Sequence, residues 1–145
     1  MHIFQLTEIT EEVLQAFTRL IPQLTQHSPP PSKEMLVEMA DSDSVFVFLA
    51  REGAGDGRIL GAATLATFIT PTGIHGWIED VVVDREGRRQ GIGRALTEAC
   101  LEKARELGLS EVNLTSRPSR EAANKLYQEM GFQQRQTNVY RYPLD

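Results

Sequence analysis

The residues best suited to chemistry lie between Val81 and Arg94. The β-branched run Val81–Val83 is followed by an arginine-rich turn, and Gly91 and Gly93 then open a strongly helical segment. That order predicts a strand, a loop and the N-terminus of a helix. Backbone N–H groups at a helix start, left uncovered by glycine and flanked by arginine, bind anionic phosphate. The stretch therefore predicts a site for a phosphorylated ligand.

Length and composition narrow the class of protein. The chain has 145 residues, so we expect residues 1–145 to form a single domain. Hydrophobic residues make up 41% and charged residues 24%, which is typical of a soluble globular fold. With 15 Lys and Arg against 20 Asp and Glu, the net charge of −5 disfavours general nucleic-acid binding. The clustered arginines therefore indicate a local site for a small anion, or else a solvated loop. These arginines are Arg85, Arg88, Arg89 and Arg94.

Other function classes find little support in the sequence. Cys100 is the only cysteine, and its helical spacing predicts a small buried residue rather than a nucleophile. The N-terminus does not resemble a signal peptide, and the longest apolar run, Val45–Ala50, is too short to cross a bilayer. No His–Cys–carboxylate cluster has metal-site spacing. We therefore expect a cytoplasmic protein with no metal and no membrane or nucleic-acid partner.

Hydrophobic periodicity predicts the elements that position the site, in the order β-α-α-β-β-β-α-β-α-β-β. A strand over Ile74–Val83 leads into the loop, and a helix over Gly93–Leu107 follows it. A later helix ends at Met130, and two final strands are predicted at Phe132–Arg135 and Val139–Tyr142. The central β-α-β unit should be parallel and the hairpins antiparallel. We therefore expect an α/β fold with a mixed sheet and helices on both faces.

Three phosphate-binding motifs can be compared with the loop. A P-loop requires Lys-Ser/Thr after its last glycine, and a dinucleotide fingerprint requires a small residue where this chain has Leu96. The third motif, [Arg/Gln]-x-x-Gly-x-[Gly/Ala], is matched by Arg88–Gly93. The apolar strand Glu79–Asp84 precedes it, and a helix carrying Ala123–Tyr127 and then Gly131-Phe132 follows at the expected distance. From about Phe4 to Tyr142 the chain thus resembles the GCN5-related N-acetyltransferase (GNAT) family.

The resemblance implies the acyl-CoA N-acyltransferase fold of that family, in which parallel strands of the mixed sheet splay apart and acetyl-CoA lies in the cleft. Backbone groups of Val81 and Val83 would pair with the pantetheine arm like an added strand. Backbone amides from Arg89 to Arg94 would hold the pyrophosphate, where glycine avoids a collision between a side chain and the phosphates. The implied donor-binding residues are Val81, Val82, Val83, Arg88, Arg89, Gln90, Gly91, Ile92, Gly93, Arg94 and Asn124.

The resemblance also implies roles in direct attack of an amine on acetyl-CoA within a ternary complex. Tyr127 is the expected general acid for the leaving thiolate, although an aromatic core residue is the alternative interpretation. Glu79 is the first candidate for the base, directly or through water, and we expect its side chain to share a face with Val81 and Val83. Asp80 would hold the substrate or a loop, and both carboxylates also suit a strand end or a salt bridge.

Two points of the resemblance leave alternatives open. Asn124 either binds the donor or is a helix-surface amide, and Arg120 stands where many relatives carry asparagine. The strand Gly76–Val83 is similar to that of glucosamine-6-phosphate N-acetyltransferases, so a small-molecule primary amine is the main expectation. A protein or peptide amino group is the close alternative, and a non-catalytic acyl-CoA-binding regulatory module is another. Homodimers are common in this fold, but no residue pattern indicates the oligomeric state.

Overall fold

The computed structural model describes residues 1–145 and contains a mixed sheet flanked by helices. The elements in chain order are β1 (His2–Gln5), α1 (Glu11–Leu24), α2 (Lys33–Asp41), β2 (Val45–Arg51), β3 (Ile59–Thr70), β4 (Gly73–Val83), a 3₁₀ turn (Arg85–Gly87), α3 (Ile92–Glu106), β5 (Val112–Asn113) and α4 (Glu121–Met130). The chain divides into two compact units, Met1–Leu114 and Thr115–Asp145. No helix is both long enough and apolar enough to span a membrane.

The first unit contains the whole sheet, with strand order β1-β2-β3-β4-β5. The first four strands are antiparallel neighbours, while β5 runs parallel to β4. The connection between β4 and β5 contains α3, as a parallel crossover requires. The predicted mixed α/β architecture is therefore confirmed.

Helices cover both faces of this sheet, because neighbouring strand residues point to opposite sides. Leu49, Ala62 and Val82 belong to a core cluster with apolar residues of α1 and α2. On the other face, a Cβ added to Gly61 would lie 2.9 Å from Ile92 Cγ2 of α3. Gly61 thus lets α3 approach the sheet closely, which fixes the start of this helix near the end of β4.

The second unit departs from the sequence prediction at its C-terminal end. Residues 132–145 form no strand, so the strands expected at Phe132–Arg135 and Val139–Tyr142 are wrong. Their alternation of aromatic and polar residues is typical of a strand, but β structure also requires pairing with another strand, and the sheet includes no strand from this segment. Val139, Tyr140 and Tyr142 are accordingly exposed.

Candidate active site

The strand that leads into the arginine–glycine loop has an unpaired edge. β4 pairs with β5 only at Gly76 and Trp77, whereas its other edge pairs with β3 as far as Val83. From Ile78 to Val83 no strand lies on the β5 side of β4, a length of roughly 20 Å at about 3.3 Å per residue. Pairing between the two parallel strands thus stops at Trp77, which agrees with the splayed strands that the family resemblance implies. The exposed N–H and C=O groups of this edge suit an extended ligand that pairs as a strand does.

A β-bulge interrupts β4 at the candidate carboxylates. Thr64 pairs with Glu79 and Ala62 with Val82, so Asp80 and Val81 both lie opposite the single residue between them on β3. Asp80 has a φ of 52°, in the left-handed region that aspartate and asparagine tolerate best.

The bulge corrects the predicted orientation of Glu79. Residues opposite one another in an antiparallel pair share a face, and Ala62 and Thr64 lie two apart on β3. Glu79 therefore faces the same side as Val82, towards α1 and α2, and not the same side as Val81 and Val83. Strict alternation along β4 fails here because the bulge adds one residue.

The surroundings of the Glu79 carboxyl disfavour its charged form. The residue is exposed as a whole, but partial burial of its carboxyl, followed by repulsion from Asp80, raises its pKa above the ordinary glutamate value. A raised pKa brings a carboxylate closer to the strength that a general base needs at neutral pH.

We expect Asp80→Asn to lower the pKa of Glu79 towards its ordinary value, because the variant removes the neighbouring charge and keeps the burial. Asparagine accepts the φ of 52°, so the bulge should persist. Carbon-detected NMR titration of the Glu79 carboxyl in both proteins measures the shift. A base acts as the carboxylate, so any acid limb of kcat/KM that Glu79 controls should also move to lower pH. Exposed Glu98→Gln is the control, and an unmoved Glu79 pKa in Asp80→Asn contradicts the prediction.

After β4 the chain forms the 3₁₀ turn and then the predicted loop. Arg89 and Gly91 have φ values of 67° and 77°. Gly91 is the N-cap of α3 and provides no side-chain cap, and the first intrahelical hydrogen bond is donated by Ala95 to the Gly91 carbonyl at 3.0 Å. The N–H groups of Ile92–Arg94 therefore have no partner within the helix. They form the positive end of the α3 dipole.

The surroundings of these N–H groups also suit an anion. Apart from the neighbouring residues in the chain, a Cβ added to Gly91 would meet no atom within 4 Å, so the space in front of the helix is open. The side chains of Arg88 and Arg89 form no hydrogen bond or ion pair within the chain. Arg94 forms an exposed pair with Glu98 at 3.2 Å, which a stronger anionic ligand can replace. The loop thus offers open space and positive charge to an anionic group.

Residues of α1 support this loop, and no sequence pattern had indicated them. The buried carboxylate of Asp84 accepts a hydrogen bond from Arg19 Nε at 2.8 Å. Burial alone would raise the pKa of Asp84, but hydrogen bonds from the Glu86 backbone and from Arg19 outweigh it and hold this pKa below the ordinary aspartate value. Arg19 and Asp84 are 65 positions apart in the chain, so no local pattern could pair them.

Two candidate residues lie in the second unit, on α4. The Tyr127 ring meets the Phe132 ring edge to face, with 5.5 Å between centroids. The Asn124 Nδ2 group donates to Ser116 Oγ at 3.3 Å and to the carbonyls of Arg117 and Arg120 at 2.9 and 2.8 Å. Asn124 thus stabilises the turn before α4, and its Oδ1 is the atom that remains for a ligand. The N-cap of α4 is Arg120, whose side chain makes no cap hydrogen bond.

The single cysteine, Cys100, is unsuited to act as a catalytic nucleophile. Cys100 is fully buried in α3, and this burial raises the pKa of its thiol to about 12. The thiol therefore stays protonated at neutral pH, which confirms the sequence prediction of a buried, unreactive cysteine.

Residues 7–132 match the model of the acetyltransferase (GNAT) family. A solved acetyltransferase of Trypanosoma brucei is 30% identical, with a TM-score of 0.74 over 99% of this chain and 100% of that one. Glucosamine 6-phosphate N-acetyltransferase 1 of Oryza sativa subsp. japonica is 28% identical over 138 residues, which are 90% of this chain and 81% of the relative.

A third relative has a different kind of acceptor in its name. The ribosomal protein bS18-alanine N-acetyltransferase of Escherichia coli (strain K12) is 34% identical over 64 residues. This match covers 44% of the chain and 43% of that relative. Similarity to the rice protein therefore extends over much more of the chain.

Proposed function

The chain belongs to the acetyltransferase (GNAT) family and is an acetyltransferase enzyme, and from this premise we propose that it transfers acetyl from acetyl-CoA to a primary amine of a small molecule. The observation that carries the proposal is the unpaired edge of β4 from Ile78 to Val83, which continues directly into the uncovered N-terminus of α3. One extended ligand with a phosphorylated end fits both features. We also propose that residues 1–145 act as one domain, since the family match includes parts of both units.

In the proposed donor site, backbone groups make more of the contacts to acetyl-CoA than side chains do. In this proposal the pantetheine arm pairs with the β4 edge at Val81 and Val83, and the pyrophosphate accepts hydrogen bonds from N–H groups between Arg89 and Arg94. The unpaired side chains of Arg88 and Arg89 add positive charge at the same loop. Acetyl-CoA supplies an acetyl thioester, and the protein holds it next to the amine, which removes the entropic cost of a bimolecular encounter.

The proposed proton transfers involve two side chains. Glu79, with its raised pKa, accepts a proton from the bound ammonium group directly or through water, and the neutral amine then attacks the thioester carbonyl and displaces the thiolate. Asp80 is one of the two bulge residues and follows Glu79 directly. Its negative charge attracts a cationic amine to the site. By the family resemblance, Tyr127 of the second unit donates a proton to the departing thiolate. No covalent enzyme intermediate is needed, which agrees with the burial of Cys100.

A small-molecule acceptor is favoured over a protein by the extent of similarity. The relative named for glucosamine 6-phosphate matches 90% of the chain, whereas the relative named for a ribosomal protein matches 44%. The latter match nevertheless keeps a protein or peptide amino group as the second candidate.

An amine panel tests the proposal. We expect acetyl-CoA to release free thiol, measured by a chromogenic disulfide, when an amino sugar such as glucosamine 6-phosphate is supplied. The panel also contains an aminoglycoside, a polyamine, a peptide with N-terminal alanine and a peptide with internal lysine. Reactions without acceptor correct for hydrolysis of the thioester.

The possible results separate the two acceptor classes. Turnover confined to small amines supports the proposal, and turnover confined to peptides favours the second candidate. Tight acetyl-CoA binding in a calorimeter without turnover of any amine would contradict both. Mass spectrometry of the product identifies the acetylated nitrogen.

A further inference from the structure

Three side chains connect the last turns of α1 to the chain segment just before the phosphate-binding loop. These residues are Arg19 and Gln23 of α1 and Asp84, which directly follows β4. Arg19 Nε donates to Asp84 Oδ2 at 2.8 Å, and its guanidinium also donates to the Ile59 carbonyl. Gln23 Oε1 accepts from the backbone N–H of Arg85 at 2.9 Å. Arg19 and Gln23 are four residues apart, so both lie on the same face of α1.

Asp84 determines the shape of the 3₁₀ turn that follows it. Its Oδ1 accepts from the Glu86 N–H at 3.0 Å, and its carbonyl accepts from the Gly87 N–H at 2.8 Å. Asp84 is only 3% exposed, so its carboxylate depends on the Arg19 guanidinium for charge compensation. Without that partner, the carboxylate must protonate or move towards water, and either change disturbs the turn.

The 3₁₀ turn packs against both the phosphate-binding loop and the start of α3. Gly87 is buried, and a Cβ there would lie 2.9 Å from Ile92 Cδ1 and 3.2 Å from Leu60 Cβ. Gln90 Nε2 donates to the Glu86 carbonyl at 3.4 Å. Because this packing leaves no free space, a displaced turn displaces the residues that present the N–H groups of α3.

We propose that Arg19 is a positioning residue: through Asp84 it fixes the phosphate-binding loop relative to α1, and it thereby sets the affinity for the phosphorylated end of acetyl-CoA. α1 is a rigid reference for this purpose, since Phe17 and Leu20 are 6% and 0% exposed. The inference rests on the proposed function, because the ligand of the loop is taken to be acetyl-CoA.

The test compares two acetyl donors in the intact protein. Acetyl-pantetheine has the same thioester and arm as acetyl-CoA but no pyrophosphate. We expect Arg19→Gln to raise the KM for acetyl-CoA about tenfold, with kcat within about twofold of wild type. The KM for acetyl-pantetheine should stay within about twofold of wild type, because this donor does not reach the loop.

Arg51→Gln is a matched control. Arg51 likewise bridges a carboxylate and a backbone carbonyl: it binds Glu12 of α1 at 2.7 and 2.9 Å and the Gly57 carbonyl at 2.9 Å. It has no contact with the loop, so both KM values should stay at wild-type levels. If Arg19→Gln does not fold, Gln23→Met keeps the Arg19 guanidinium but removes the hydrogen bond from the Arg85 N–H, the one to the Asp84 carboxyl, and the one that Gln23 Nε2 donates to the Arg19 carbonyl at 3.2 Å. This variant should still raise the acetyl-CoA KM about threefold.

The outcomes separate this inference from the proposed function. Equal losses with both donors would show a general structural role and overturn the inference, as would an unchanged KM for acetyl-CoA in Arg19→Gln and Gln23→Met. A wild-type protein that uses neither donor with any amine would instead contradict the proposed function.

Discussion

Gly91→Glu should weaken acetyl-CoA binding by at least about 100-fold, which corresponds to about 2.7 kcal/mol of binding free energy. The glycine lies in front of the uncovered N–H groups of α3, and apart from its chain neighbours no atom lies within 4 Å of the position of an added Cβ. A glutamate there would occupy the space proposed for the pyrophosphate and place a negative charge beside it. The dissociation constant is measured by isothermal calorimetry with acetyl-CoA.

Gly108→Glu is the matched control for the folding cost of this substitution. Gly108 lies just beyond the other end of α3, has the same φ of 77° and also has nothing within 4 Å of an added Cβ. Both variants force a side chain into the left-handed region, at a cost of about 1–2 kcal/mol each in stability. Thermal unfolding should therefore show similar losses for the two, while only Gly91→Glu loses the ligand. Normal acetyl-CoA affinity in Gly91→Glu would overturn the assignment of the loop.

The loop was predictable from sequence because its signals are local. The predicted helix Gly93–Leu107 lies one residue from the observed α3, Ile92–Glu106, and the predicted strand Ile74–Val83 lies one residue from β4 at its start. Glycines, apolar periodicity and an arginine-rich turn all lie within a few residues of the structure that they specify.

The features that the sequence did not reveal depend on pairing between distant segments. The bulge at Asp80 exists only relative to the register of β3, and it changes the face to which Glu79 points. The bond between Arg19 and Asp84 joins residues that no periodicity relates. The C-terminal segment has a strand-like pattern without a strand partner. In each case the local sequence permits several conformations, and tertiary contacts select among them.

The strand pairing explains how β4 can position both the proposed base and the acetyl donor. Beyond Trp77, β4 keeps its antiparallel partner β3 on one edge and has no strand on the other. The paired edge holds the bulge and therefore the position of Glu79, and the unpaired edge is left for a donor that adds as a strand. A chemical group and a binding surface are thus fixed relative to each other by one rigid element, which is the condition for orienting an acceptor against a donor.

Tyr127→Phe should lower kcat by about 100-fold while leaving the acetyl-CoA dissociation constant within about twofold of wild type. Phenylalanine keeps the edge-to-face contact with Phe132, so the variant removes the hydroxyl without removing the packing. A phenol O–H can donate to a thiolate as the C–S bond breaks. Stopped-flow or steady-state thiol release with saturating acceptor measures the change.

Tyr142→Phe removes a hydroxyl from the same unit at a residue that is 85% exposed, and it should retain wild-type turnover. A loss of kcat confined to Tyr127→Phe assigns the effect to that one hydroxyl, because both variants keep an aromatic ring. Should Tyr127→Phe instead raise the dissociation constant of acetyl-CoA and leave kcat unchanged, the hydroxyl would bind the donor rather than protonate the leaving group. Wild-type values for both constants would remove Tyr127 from the mechanism and leave the thiolate to be protonated by water, with Glu79 as the remaining proposed proton-transfer residue.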